Sequence, residues 1–181
     1  MKLVGQRIYL RPYKISDASE LAALHTRNRE FFQRVCPLLP EAFYTEEHQK
    51  MRIERVSKMT DEGQAYAFGI FLQKTDKLIG DISLTQIAKG DVQSCNTGFT
   101  LDEEHNAKGY TTEALQLVVD FAFKELRLHR IEAGAMPDNL ASIRVLEKAG
   151  FKKEGIAKEN LKINGKWTDH QILAIINSLD V

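Results

Sequence analysis

The 181 residues hold two cysteines, four prolines and one tryptophan, with no excess of either charge. Cys36 and Cys95 stand far apart, outside any CxxC or Cys/His cluster. This excludes a disulfide framework and a thiolate metal site, and it fits a reducing compartment. Five histidines, His25, His48, His105, His129 and His170, are scattered without metal-ligand spacing, so no metal is expected. No apolar run approaches the roughly 20 residues that cross a bilayer. The opening "MKLVGQRIYLRP" lacks the apolar stretch of a signal peptide, and a cytoplasmic protein without membrane contact is expected. Lys plus Arg equals Asp plus Glu at 25 each, which argues against a general binder of nucleic acid or anionic membrane. Repeats, low-complexity tracts and linkers are also missing, so residues 1–181 read as one domain.

What is present is a mixed α/β pattern. "RIYLRP" (7–12) alternates and stops at Pro12 as a short strand. "ISDASELAALHTRN" starts with the capping candidates Ser16 and Asp17 and turns Leu21 and Leu24 inward as a helix. Pro37 and Pro40 break the next segment, and a second helix spans roughly 45–62. "AYAFGIFLQ", "KLIGDISLTQI" and "VQSCNTGFTL" form an antiparallel meander with turns at "KTDK" and "AKGD". A helix follows to about Leu126, with Leu115, Val118, Val119, Ala122 and Phe123 on one stripe. "RIEAGAM" (130–136) is a strand ended by Pro137. "NLASIRVLEKAG" is a helix between the cap candidate Asn139 and the stop Gly150. Two last strands flank Asn164-Gly165, a strong hairpin signal.

The stretch "HNAKGYTTEALQ" (105–116) joins the third meander strand to the long helix. A strand, a polar turn with Gly109 and a helix start together gather unpaired backbone N–H groups and the positive end of a helix dipole. Such a place suits an anion, phosphate above all, and Lys108 adds a flexible cation. A plain helix start that merely tolerates Gly109 is the alternative. The order is neither GxxxxGK[ST] nor GxGxxG, so a nucleotide enzyme is poorly supported.

"NAKGYTTEA" resembles the acyl-CoA pyrophosphate loop of the GNAT superfamily of N-acetyltransferases, Q/R-x-x-G-x-G/A. "NLASIRVLEKAGFKKEG" resembles the family's N-x-x-S-x-x-(apolar)-x-x-K-x-G-F-x-x-E-G signature. "RIYLRPYKISDASEL" and the late "GKWTDHQIL" are similar to the two ends of its RimJ/RimL branch, which acetylates protein N-termini, ribosomal proteins included. Departures are Asn106 for Gln or Arg, Ala107 for a common Gly, and Thr111 in the Gly/Ala place.

The resemblance implies a seven-stranded, mostly antiparallel sheet with about four helices, splayed between the strands at 92–101 and 130–136. Pantetheine would add to the open strand edge at Phe99, Thr100 and Leu101, as a β-augmentation. Asn106, Ala107, Lys108, Gly109, Tyr110 and Thr111 would hold the pyrophosphate, and Asn139 the CoA arm. Acetyl-CoA is the implied co-substrate, attacked directly by the amine with no covalent enzyme intermediate. The oxyanion needs a donor, expected from the backbone near Leu101. Ser142 is the candidate proton donor to the leaving thiolate, with helix capping as its alternative. Glu103 and Glu159 are the candidate bases, beside a surface role for each.

The acceptor implied is a protein N-terminus, a ribosomal protein among the candidates, or a small amine; a non-catalytic acyl-CoA-binding module is the rival. A homodimer is compatible with the reading. An α-amine has pKa about 7.7–8.0 and lysine about 10.4, so an enzyme without an evident strong base suits the α-amine. Phe31, Phe32, Phe43 and Tyr44 either line an acceptor pocket or pack in the core.

Overall fold

The computed structural model describes residues 1–178. One sheet of eight strands runs through the domain in the order β1-β2-β3-β4-β5-β6-β8-β7. The strands are β1 (Leu3–Val4), β2 (Ile8–Arg11), β3 (Tyr66–Leu72), β4 (Leu78–Ala88), β5 (Ser94–Leu101), β6 (Arg130–Ala135), β7 (Lys152–Ile163) and β8 (Lys166–Ile176). The helices are α1 (Ala18–Arg27), α2 (Arg29–Gln33), α3 (Glu46–Asp61), α4 (Tyr110–Lys124) and α5 (Leu140–Lys148). Every pairing is antiparallel except β5 with β6.

The count exceeds the sequence expectation by β1, a two-residue strand on Leu10 and Tyr9, and by α2, one turn and a half long. Elements this short carry no period to read. The hairpin at Asn164-Gly165 forms as its chemistry demands. Both residues are left-handed, at φ 47° and 78°, which matches the twist of the flanking strands.

Alternation in the strands gives the sheet two dressed faces. On one, Ile8, Leu10, Phe68, Ile82, Leu84 and Leu101 pack with the α4 stripe of Ala114, Leu115, Val118 and Ala122 and with Ile143 and Leu146 of α5. On the other, Tyr9, Phe71 and Leu78 meet Leu21 and Leu24 of α1 and Ile53 of α3. Leu115 is fully buried; cutting it to Ala costs about 2–5 kcal/mol. This grip fixes α4, and with it the direction of its N-terminus.

Candidate active site

The sheet opens at its one parallel seam. β5 and β6 pair at Ser94/Arg130, Cys95/Ile131 and Asn96/Glu132, and the register ends there. β5 continues to Leu101, held on its other side by β4 through Gly80/Leu101, Asp81/Thr100 and Ile82/Phe99. The Asp102 N–H donates to the Ile79 carbonyl at 2.7 Å. Ladder groups alternate in direction along an antiparallel pair. The amides of Phe99 and Leu101 therefore face the gap, while the Thr100 amide faces β4. The opening lies where the resemblance implies it, between the strands at 92–101 and 130–136.

At the end of β5 a 3-10 turn, Glu103–His105, leads into the loop before α4. Asp102 is 1% exposed, and its Oδ2 accepts both Nε and Nη2 of Arg27, at 2.9 and 2.7 Å. Burial raises its carboxyl, but Arg27 overcomes that and leaves it below the usual range. The Glu103 N–H donates to Asn28 Oδ1 at 2.9 Å. Together Arg27 and Asn28 tie the end of α1 to the start of the loop. Asp102, Glu104 and His105 offer ligand atoms within 4.8 Å of one another, and there the Arg27 guanidinium already supplies the countercharge to Asp102. Burial first, then Lys77, pushes the His105 imidazole below its ordinary range.

Gly109 is the N-cap of α4 at φ 81°, and no side chain caps the helix. Its carbonyl accepts the Glu113 N–H at 3.1 Å. The amides of Tyr110, Thr111 and Thr112 thus precede any intrahelical acceptor. Ala107 is also left-handed, at φ 59°, a conformation that favours glycine. Arg7, unforeseen in the sequence, crosses the loop. Its Nη1 donates to the Lys108 carbonyl at 2.7 Å, its Nε to Glu113 at 3.1 Å, and its Cζ lies 4.8 Å from the Tyr110 ring centroid. The Lys108 ammonium turns back to the Glu104 carbonyl at 2.8 Å. Asn106 and Tyr110 are half-buried, whereas Thr111 is 7% exposed and packs inward.

On α5 the Asn139 carboxamide caps the helix by accepting the Ser142 N–H at 3.2 Å. Ser142 is half-buried, and its hydroxyl makes no hydrogen bond among the described residues. Its backbone, not its side chain, belongs to the cap. Glu103 and Glu159 are exposed. Glu159 sits on a bulge of β7 at φ 46°, with its N–H donating to Asp169 Oδ1 at 2.9 Å. Among the described residues, no side-chain contact draws either carboxylate to the gap. Phe32 is buried, its ring beside those of His25 and Phe31, while Phe31, Phe43 and Tyr44 are half-buried on the α1 side. The thiols are ordinary: burial pushes Cys95 up to about 12 and Cys36 up to about 11. No helix among the described residues is long and apolar enough to cross a membrane.

The pattern of the acetyltransferase (GNAT) domain matches residues 7–152. A probable N-acetyltransferase of Bacillus subtilis, YjcK, is 52% identical over 178 residues, 98% of each chain. The ribosomal protein uS5-alanine N-acetyltransferase of Escherichia coli is 29% identical over 175 residues, 97% of this chain and 90% of that one. The crystal structure of a ribosomal-protein-S5-alanine acetyltransferase from Vibrio fischeri superposes with a TM-score of 0.94 at 33% identity, covering 98% and 97% of the two chains.

Proposed function

The chain belongs to the GNAT acetyltransferase family and is an N-acetyltransferase, and on that premise we propose that it moves the acetyl group of acetyl-CoA to the N-terminal α-amine of a protein. The observation that carries the donor half is one juxtaposition. The open edge of β5 at Phe99 and Leu101 is joined, through the turn and loop at 102–108, to the N-terminus of α4, which no side chain caps. The first accepts an amide-bearing arm as an added strand; the second accepts its pyrophosphate.

In this reading, Gly109 keeps a side chain away from the phosphates, and the amides of Tyr110 to Thr112 bond them. Asn106, Ala107 and Lys108 shape the rim, and Asn139 orders the start of α5 beside the CoA arm. The amine nitrogen attacks the thioester carbonyl, and the Leu101 N–H stabilises the oxyanion. The proton that the amine loses passes to Glu103 or Glu159 or to solvent. Collapse breaks the C–S bond, and Ser142 relays a proton to the thiolate, giving its hydroxyl proton as it takes one from solvent. The unengaged hydroxyl of Ser142 supports this role. An α-amine needs no strong base, because near pH 7 about a tenth or more of it is already neutral.

The likeness to two enzymes named for ribosomal-protein alanine acetylation supports a protein N-terminus as the acceptor. The direct test is thiol release from acetyl-CoA in the presence of a peptide with a free N-terminus. Release well above the acceptor-free rate is expected. Release at the acceptor-free rate, with acetyl-CoA still bound, would leave only a binding module.

A further inference from the structure

A carboxylate on a strand that packs beneath two helices is costly unless partners hold it. Asp81 stands on the α1/α3 face of β4, its side chain 14% exposed. Both of its oxygens are taken. Oδ1 accepts the Thr100 hydroxyl at 3.1 Å. Oδ2 accepts Arg52 Nη2 at 3.1 Å and lies 3.7 Å from His25 Nε2. Burial pushes the carboxyl up, yet His25 and Arg52 outweigh it and hold the group well below the usual carboxylate range. The contacts run on from there. Arg52 donates to Gln49 Oε1 at 3.3 Å, Gln49 donates to the Phe43 carbonyl, and the His25 ring lies 4.9 Å from that of Phe43.

β5 has reason to need such a tie. Past Asn96 its pairing with β6 stops, so the backbone ladder of its last residues runs to β4 alone. Thr100 lies directly opposite Asp81 and between Phe99 and Leu101, the two residues whose amides face the gap. A side-chain bond at Thr100 adds a second anchor at the point where the strand has lost one neighbour. The same carboxylate, through Arg52 and Gln49, also grips the turn Glu41–Tyr44.

We propose that Asp81 is a positioning residue: it pins the free end of β5 through Thr100, and fixes that end against the Phe43 turn, so that the Leu101 amide keeps its aim into the gap. The inference rests on reading the gap as the acyl site. Thr100→Val keeps the shape and deletes the donor; Thr100→Ser keeps the donor and deletes the methyl. In Thr100→Val we expect the amides of residue 100 and Asp102, which bond β4, to exchange at least about tenfold faster. We expect kcat to fall at least about tenfold, with KM for acetyl-CoA within about threefold. Thr100→Ser should bring both back near wild type. Unchanged exchange in Thr100→Val would overturn the inference, as would faster exchange with unchanged kcat, or a serine variant as slow as the valine one. If the wild-type chain transfers no acetyl group, amide exchange alone decides the clamp, and the functional reading fails separately.

Discussion

Gly109 has two reasons to be glycine. Its φ of 81° favours a residue without Cβ, and an added Cβ would come within 3.2 Å of the Arg7 guanidinium. Gly109→Ala should therefore cost about 1–2 kcal/mol of stability for the left-handed residue. It should also weaken acetyl-CoA binding about tenfold, or 1.4 kcal/mol; thermal melting and calorimetry read the two losses apart. Unchanged affinity in a less stable protein would make Gly109 a matter of backbone alone. Ser142 separates the other way. Because Asn139 does the capping, Ser142→Ala should leave the melting temperature unchanged. A thiolate with a parent pKa near 8.5 leaves tolerably unaided, so turnover should drop toward the lower end, about 10²-fold, of what general acids contribute. A fall in melting temperature with full turnover would contradict it.

Among the elements, α5 depends on one side chain for its start. Asn139→Ala strips the acceptor from the Ser142 N–H and should cost about 1 kcal/mol, measurable in urea as a lower midpoint at constant slope. The tie between β4, α1 and α3 has a pH signature. A folded carboxyl held below its unfolded value of about 3.9 contributes stability that is full above that range and lost as pH falls through it. Asp81 is such a group. Asp81→Asn leaves Arg52 short of its partner, so the variant should lose about 3 kcal/mol at pH 7, the lower end for a broken buried pair. It should then lose less than wild type on acidification below about pH 4. Parallel acid curves would remove Asp81 from the account. The long elements were legible because α4 repeats its apolar residues at helical spacing and the last hairpin announces itself at Asn164-Gly165. The Asp81 cluster was not legible. It joins residues from α1, α3, β4 and β5, and in the sequence only the odd polar residue inside "LIGDISL" hints at it. Arg7 was missed for the same reason: its partners, Lys108 and Glu113, lie a hundred residues on.

For the molecule as a whole, the loop at 106–111 and the Asn139 helix were readable as motifs because one short stretch carries each. The acceptor side was not, because in the proposed reading it would draw on distant pieces of chain, the 29–44 segment and the β7–β8 hairpin, whose tip reaches back through Asn164 Nδ2 to the Gln33 carbonyl at 2.9 Å. No single stretch of chain states what binds there. The central claim is the transfer of acetyl from acetyl-CoA to an α-amine, and acceptor preference tests it most directly. The measurement is kcat/KM with acetyl-CoA on three acceptors: a peptide with a free N-terminal alanine, the same peptide N-terminally blocked with a lysine inside, and a panel of small amines, with the acetylated atom located by mass spectrometry. The account predicts the highest value on the free N-terminus, with the acetyl group on its α-nitrogen. A higher value on the blocked lysine peptide, or turnover of the small amines alone, would contradict it.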